Sequence, residues 1–308
     1  MPSRPSPAPV GIIPVTVVNA CLRDGSGGSP TAVLDDVALT DAARARVPGL
    51  VGASHAVFVA RGEDTDAVSL RFFTAAGELP ACGHGTVAAL VWLAERAGAG
   101  ADHRFTLRTA NRVFDGWTSA EGAHPHAAFD PGPVDLRDPR AEEADLVLPA
   151  LGLAPDDVAG AVRVAGVGRA RILVPVASRS VLASVAPDFA RLRTACDRTG
   201  LLGAYVYSVP DGSGRAAARM FAPSIGVPED IANANSTACL AAHMAGGGST
   251  VLSVDMGDSL GSPATITATV RPGPRGPAVR IGGTAAVVRT TGLPEPVLNA
   301  PQAPPSNP

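Results

Sequence analysis

The sequence contains no lysine, so all 25 of its lysine-or-arginine positions are arginine. Pyridoxal-phosphate enzymes and Schiff-base aldolases need a lysine amine for covalent catalysis. The phosphate-binding loop of nucleotide hydrolases needs a lysine to reach the phosphates. These classes are therefore excluded. A G-x-G-x-x-G turn after a predicted strand is also missing, which argues against an open dinucleotide-binding sheet.

Aromatic residues make up only 4% of the chain, and a net charge of -3 comes without clustered basic residues. Both features argue against nucleic-acid binding.

The four cysteines lie far apart without a C-x-x-C pair, so neither a zinc motif nor dithiol chemistry is indicated. Reduced cysteines predict a cytoplasmic protein. The apolar run 10–18 is interrupted by Pro14 and too short to cross a bilayer, so no membrane association is expected.

The chain has 308 residues, 46% of them hydrophobic, which suffices for a sizeable core and about two domains. Proline, serine and alanine dominate residues 1–10 and 294–308, and we predict disordered tails there. We assign residues 11–135 with about 284–293 to an N-terminal half. Residues 136–283 form the predicted C-terminal half.

Two apolar helices are predicted, one in each half. The first follows the glycine-rich turn Gly77 to Thr86, and the second begins at Ser236 and ends at three consecutive glycines. Both are apolar or small nearly all the way round, so each must be enclosed. Many short β-rich runs surround them. We therefore predict an α/β (α+β) fold of two pseudo-symmetric halves, each a curled mixed β-sheet wrapped around a central buried α-helix.

The start of a helix leaves backbone N–H groups unpaired and carries partial positive charge. Two such starts facing each other across a cleft would hold a carboxylate without any lysine. We expect the active site in this cleft, with Gly83 at one helix start and Ser236 at the other.

Three segments occur in an order that is informative in combination: 27–34, 72–86 and 219–230. Together they resemble the PhzF-like phenazine-biosynthesis isomerase family, and weaker similarity extends over almost the whole folded region. The resemblance implies the diaminopimelate-epimerase-like fold, a cofactor-free and metal-free active site, and a homodimer. The implied reaction moves a proton between carbons of a small unsaturated or cyclic carboxylate, as in specialised metabolism and antibiotic biosynthesis.

The resemblance also implies residue roles. His84 matches the family's active-site histidine and Asp230 its acidic companion, which we expect to orient it. His55 stands where the family has a catalytic glutamate, and imidazole can act as a base at neutral pH. We thus predict His55, His84 and Asp230 as catalytic. The predicted substrate-binding residues are Gly83, Cys82, Gly85, Asn235, Ser236 and Thr237.

Other interpretations of the same cleft stay open. An epimerase acting on an amino or hydroxy acid would need acid/base groups on both faces of one carbon. Cys82 matches the thiol of such enzymes, but Ala234 stands opposite it, which disfavours a two-thiol mechanism. A non-catalytic protein that binds a small acid is a further alternative, and a lyase is a remote one.

Overall fold

A computed structural model describes residues 11–62, 67–98, 100–120, 122–246, 248–274 and 276–299. These residues form seven α-helices and seventeen strands. The helices are α1 Asp41–Leu50, α2 Gly83–Gly98, α3 Ala141–Ala150, α4 Arg179–Ser184, α5 Phe189–Thr199, α6 Ala234–Ala245 and α7 Glu295–Asn299. The strands are β1 Ile12–Ala20, β2 Ser29–Asp35, β3 His55–Arg61, β4 Ala67–Thr74, β5 Gly77–Leu79, β6 His103–Arg108, β7 Val113–Ser119, β8 His126–Phe129, β9 Asp135–Arg137, β10 Arg163–Val167, β11 Arg169–Val176, β12 Ala204–Ser208, β13 Arg215–Ala222, β14 Val227–Asp230, β15 Thr250–Met256, β16 Ala264–Gly273 and β17 Gly276–Pro294.

Eight strands of the N-terminal half pair in a closed ring. The order around it is β4, β3, β2, β1, β17, β8, β7 and β6, and β6 then pairs with β4. The pairs β2–β3 and β4–β6 are parallel, and the others are antiparallel. Helix α2 lies inside and packs against β1, β2, β3, β7, β8 and β17.

The C-terminal half is a second curled sheet in the order β9, β10, β11, β12, β13, β15, β16 and β17. It encloses α6, which contacts β9, β10, β15, β16 and β17. The long strand β17 belongs to both sheets, because its first part pairs with β16 and its second part pairs with β1. The two enclosed helices are thereby held against one shared strand.

The enclosure explains the composition of the two helices. Every residue of α2 from Gly83 to Ala94 is buried, as is almost every residue of α6 from Ala234 to Ala242. A helix surrounded on all sides by strands has no face for charged side chains. The first carboxylate of α2 is Glu95, where the exposed part of the helix begins.

The predicted α+β fold with curled sheets around buried helices is confirmed, whereas the pseudo-symmetry of the halves and their boundaries stay predictions. The C-terminal tail was predicted to start at residue 294, and this is wrong for residues 295–299. They form α7, and Leu298 is buried in the cluster that also contains Val47 of α1. The predicted tail residues 1–10 and 300–308 lie outside the described residues. None of the described helices has the length and apolarity needed to cross a bilayer.

Candidate active site

The starts of α2 and α6 adjoin each other. A Cβ atom placed on Gly83, the first residue of α2, would lie 2.6 Å from the Cβ of Ala234 and 3.3 Å from the backbone nitrogen of Asn235. Side-chain carbons do not pack that closely, so the approach requires glycine at position 83. The two helix starts that the sequence predicted to share a cleft are thus neighbours.

Helix α6 begins two residues earlier than predicted, at Ala234. Asn233 is its N-cap, and its side-chain oxygen accepts a hydrogen bond from the Ser236 amide at 3.0 Å. The Thr237 amide donates to the carbonyl oxygen of Asn233 at 3.0 Å. Both side chains are fully buried and do not line the cavity described below. Their amides are engaged within the helix start, and substrate binding by Ser236 and Thr237 stays a prediction.

On α6 the unpaired amides are those of Ala234 and Asn235, which precede Ser236. Among the described residues, no hydrogen-bond acceptor is found for the amides of Gly83 and His84 on α2, or for those of Ala234 and Asn235 on α6. These groups point out of their helix starts, where the helix dipole favours negative charge. The arrangement can bind an anion such as a carboxylate.

His55 and His84 meet at this helix junction. His55 is the first residue of β3, and its ring stands edge-on to the ring of His84 with centroids 4.3 Å apart. Cys82 precedes α2, and its sulfur lies 3.4 Å from Nε2 of His84. All three side chains are buried, with at most 6% of their surface exposed.

Hydrogen bonds fix the orientation of both rings. Nδ1 of His84 lies 2.7 Å from the carbonyl oxygen of Ala232, in the segment that leads into α6. Nδ1 of His55 lies 2.9 Å from the hydroxyl oxygen of Ser54. Asp230 was expected to orient His84, but its carboxylate instead accepts a hydrogen bond from the Asn233 side chain at 2.9 Å. The Ala232 carbonyl, and not Asp230, is the hydrogen-bond partner at Nδ1 of His84, and an orienting role of Asp230 stays a prediction.

The two imidazoles are shifted in opposite directions. Burial, together with the charge of His84, lowers the pKa of His55 well below its ordinary value of 6.5. Burial also acts to lower the pKa of His84, but the interactions with Cys82 and Asp230 and the bond to Ala232 outweigh it and raise the pKa to about 10. At neutral pH His55 is thus a neutral base and His84 a charged acid. Paired groups with opposed shifts are typical of acid/base sites.

A cavity of about 170 Å³ opens on this junction. Its lining includes the predicted residues His55, Cys82, Gly83, His84, Asp230 and Asn235. Gly85 was also predicted to bind substrate; it does not line this cavity, and the role stays a prediction. A Cβ atom at Gly85 would meet Cys82, Phe72 and Val57 within 3.1 Å, so this position serves close packing.

The site also offers a set of metal-ligating atoms. One ring nitrogen each of His55 and His84 and the sulfur of Cys82 lie within 4.8 Å of one another. Imidazole and thiolate are the ligands that Zn²⁺ prefers, and three protein ligands would leave a fourth position for water or substrate. A search for C-x-x-C motifs could not find this set. Two of its members, Cys82 and His84, lie in the turn before α2 and at its start, and the third, His55, begins strand β3.

The fold consists of two curled sheets, each around a buried helix. Acid/base side chains meet in a cleft where the two helices begin, and these features together define a class of proteins. The chain belongs to the phenazine biosynthesis-like protein family, whose model matches residues 18–291. The resemblance inferred from the three sequence segments is thereby confirmed.

Similar proteins cover most of the chain. An uncharacterized isomerase of Deinococcus radiodurans is 32% identical over 282 residues, which are 86% of this chain and 89% of the relative. The uncharacterized isomerase YddE of Escherichia coli is 27% identical over 233 residues, 71% of this chain and 74% of the relative. A solved structure of a phenazine biosynthesis protein of the PhzF family from Bacillus anthracis matches with a TM-score of 0.79 at 20% identity, covering 92% of this chain and 99% of that one.

Proposed function

We propose that this protein is a cofactor-independent isomerase that moves a proton between two carbons of a small unsaturated or cyclic carboxylate, shifting a double bond. One observation carries the proposal: a neutral imidazole and a charged imidazole lie in contact where two helix starts present unpaired amides. The isomerase names of two relatives support the same reaction class.

The substrate carboxylate binds the amides of Gly83 and His84 on one side and Asn235 on the other. These dipoles also stabilise the negative charge that reaches the carboxylate as the adjacent C–H bond is broken. Because they are fixed by the helices before substrate arrives, no reorganisation is needed during the reaction.

His55 takes the proton from carbon. In the tautomer that carries the proton on Nδ1, 2.9 Å from the Ser54 hydroxyl oxygen, the lone pair of Nε2 is free to accept the proton. His84, held by Ala232, gives its proton to a second carbon of the same delocalised anion. The substrate therefore loses one C–H bond and gains another, with its composition unchanged. His55 then holds the extra proton, and exchange with water after product release restores both imidazoles.

The contact between the rings favours a shift along the carbon skeleton over inversion at one carbon. An epimerase needs its two proton-transfer groups on opposite faces of the same carbon, each within about 3 Å, and thus about 6 Å apart. The centroids of His55 and His84 are 4.3 Å apart and in edge contact, which leaves no room for a carbon between them. Both rings can serve neighbouring carbons on one face.

Proton transfer can be tested in deuterated water. Purified protein is incubated with a panel of cyclic carboxylates that carry a C=C or C=N bond next to an acidic C–H, and products are followed by NMR. We expect deuterium at the carbon that gains a proton, together with a displaced double bond. Deuterium at one stereocentre with inversion would support an epimerase instead. Tight binding of an acid without any exchange would support a non-catalytic binding protein.

The pH dependence of turnover follows from the two imidazoles. His55 works only when neutral, so kcat/KM should rise as the pH increases through its lowered pKa, below 6.5. His84 works only when charged, so the rate should fall as the pH passes its raised pKa of about 10. We expect a broad plateau through neutral pH between these limits. A rise centred at the ordinary histidine pKa would contradict the assignment of His55.

A chelator separates this mechanism from a metal-dependent one. Dialysis against EDTA should leave turnover unchanged, because the proposed steps use side chains and backbone amides only. Added Zn²⁺ should inhibit, since an ion bound by His55, Cys82 and His84 would occupy the lone pair that accepts the proton. Loss of activity on dialysis with recovery on adding Zn²⁺ would contradict the proposal.

The role in specialised metabolism, the homodimer and the cytoplasmic location were implied by the resemblance or by cysteine usage, and they stay predictions. Sedimentation velocity on the purified protein would test the homodimer directly.

A further inference from the structure

The cavity contains a buried charge without an ionic partner. Arg171 of β11 has 2% of its surface exposed and lines the cavity. Among the described residues, its Nη1 donates to the sulfur of Cys239 at 3.0 Å, its Nε has no acceptor, and it forms no ion pair with a carboxylate. Sulfur is a weak hydrogen-bond acceptor. The protein thus leaves most of this guanidinium unsatisfied.

Three other buried charged residues in the described part of the chain form ion pairs. Glu143 pairs with Arg137 and Arg140, and Asp255 pairs with several arginines. Arg44 also leaves its Nε without an acceptor, but it pairs with Asp36 and Asp41. Removing an ion from water without a partner is costly, and proteins tolerate it mainly where the partner is supplied from outside.

Besides the charged His84, Asp230 is a buried charged residue of the described part that forms no ion pair, and it lines the same cavity. Its negative charge acts on His84, whose pKa it helps to raise. Arg171 has no such counterpart. Apart from His84, whose charge Cys82 and Asp230 help to stabilise, Arg171 is the buried cation of this cavity, and among the described residues no carboxylate pairs with it.

The guanidinium contacts α6 at a residue further along the helix than the unpaired amides at its start. Its partner Cys239 follows Ala234, the first residue of α6, by five positions, which corresponds to about 7 Å along the helix. Two separate anion-binding groups in one cavity, the helix starts and Arg171, point to two anionic groups on one ligand.

We propose that Arg171 binds a second anionic group of the substrate, so that the natural substrate is a small dianion such as a dicarboxylate. One carboxylate binds the helix starts beside His55, and the other forms a charge-assisted pair with Arg171. This assignment rests on the proposed function for the first carboxylate. It names Arg171 as the residue that determines substrate specificity.

The test compares glutarate with pentanoate, which have the same number of carbons and differ in the second carboxylate. Calorimetric titration of the wild-type protein should show glutarate binding at least about tenfold more tightly, as expected for hydrogen bonds to a charged group. Arg171→Gln should abolish this preference and leave pentanoate binding unchanged, whereas Arg171→Lys should retain part of it.

Arg169→Gln is the matched control. It removes the same charge from the same strand, but Arg169 is exposed at the rim and donates to the carbonyl of Leu201. We expect it to leave the glutarate preference in place. Equal binding of the two acids by wild type, or an unchanged preference in Arg171→Gln, would overturn the assignment. Where Arg171→Gln does not fold, Arg171→Lys tests the assignment, because it keeps the charge and a wild-type preference for glutarate in that variant would overturn it.

The two proposals fail separately. Equal binding of glutarate and pentanoate would remove the role of Arg171 and leave proton transfer intact. Absence of deuterium exchange with every acid would remove the isomerase and leave the preference for dianions intact.

Discussion

His55→Gln should lower kcat by roughly 100-fold to 10,000-fold, the usual contribution of a positioned general base. Glutamine keeps a polar side chain of similar size, and its amide cannot accept a proton from carbon. Substrate binding should change little, because the carboxylate is held by the backbone amides of Gly83, His84 and Asn235 and not by His55. The expected signature is a loss in kcat with KM nearly unchanged.

Two further variants make the His55 result specific. His55→Glu restores the residue that the family resemblance places here, so part of the lost activity should return, with a pH profile set by a carboxylate. His126→Gln is the control, since His126 is a half-buried histidine whose Nε2 lies 3.1 Å from Thr267, away from the cavity. Full turnover by His55→Gln in deuterated water would remove His55 from the mechanism.

Gly83→Ala should reduce kcat/KM by about 100-fold or more, because shifts of about 1 Å in a reacting geometry cost that much. The added Cβ would lie 2.6 Å from the Cβ of Ala234, so the two helix starts must separate. That separation moves the amides on α2 away from those on α6. Both carboxylate binding and turnover should therefore suffer.

A double-mutant cycle tests this contact. Ala234→Gly removes the atom nearest to the new methyl group, and the Gly83→Ala/Ala234→Gly variant should recover much of the lost activity. Gly49→Ala is the control, because a Cβ at Gly49 has no neighbour within 4 Å and its backbone needs no left-handed conformation. Additive losses in the double variant would show that the helix starts are not coupled through this contact.

The sequence predicted those parts of the site that depend on local spacing. Cys82, Gly83 and His84 are adjacent in one turn before an apolar helix, and a single helix start places them together. The apolar pattern also identified both enclosed helices, because a helix within a curled sheet has no polar face. The position of His55 came from the family resemblance alone.

The start of α6 could not be read from the sequence with the same precision. Asn233, Asn235 and Ser236 are all residues that favour an N-cap, so propensity does not select among them. The choice depends on the bond from the Ser236 amide to the Asn233 side chain. That two-residue difference decides which amides are free for substrate.

Other features of the structure depend on contacts between residues that are far apart in the sequence, so the sequence analysis did not predict them. The carbonyl of Ala232 reaches His84 from 148 positions away, and Arg171 meets Cys239 across 68. No local pattern marks a backbone carbonyl as a partner or an arginine on an apolar strand as buried. Likewise, Leu298 lies in a proline-rich segment, and its burial depends on the distant helix α1.

The most direct measurement is a crystal structure of the protein with an unreactive cyclic carboxylate bound. The account predicts a carboxylate oxygen within about 3.2 Å of the amide nitrogen of Gly83 or His84, and the other within the same distance of the Asn235 amide. The ring carbon next to the carboxylate should face His55. A carboxylate bound elsewhere, with these amides unoccupied and His55 turned away from the ligand, would contradict the central claim.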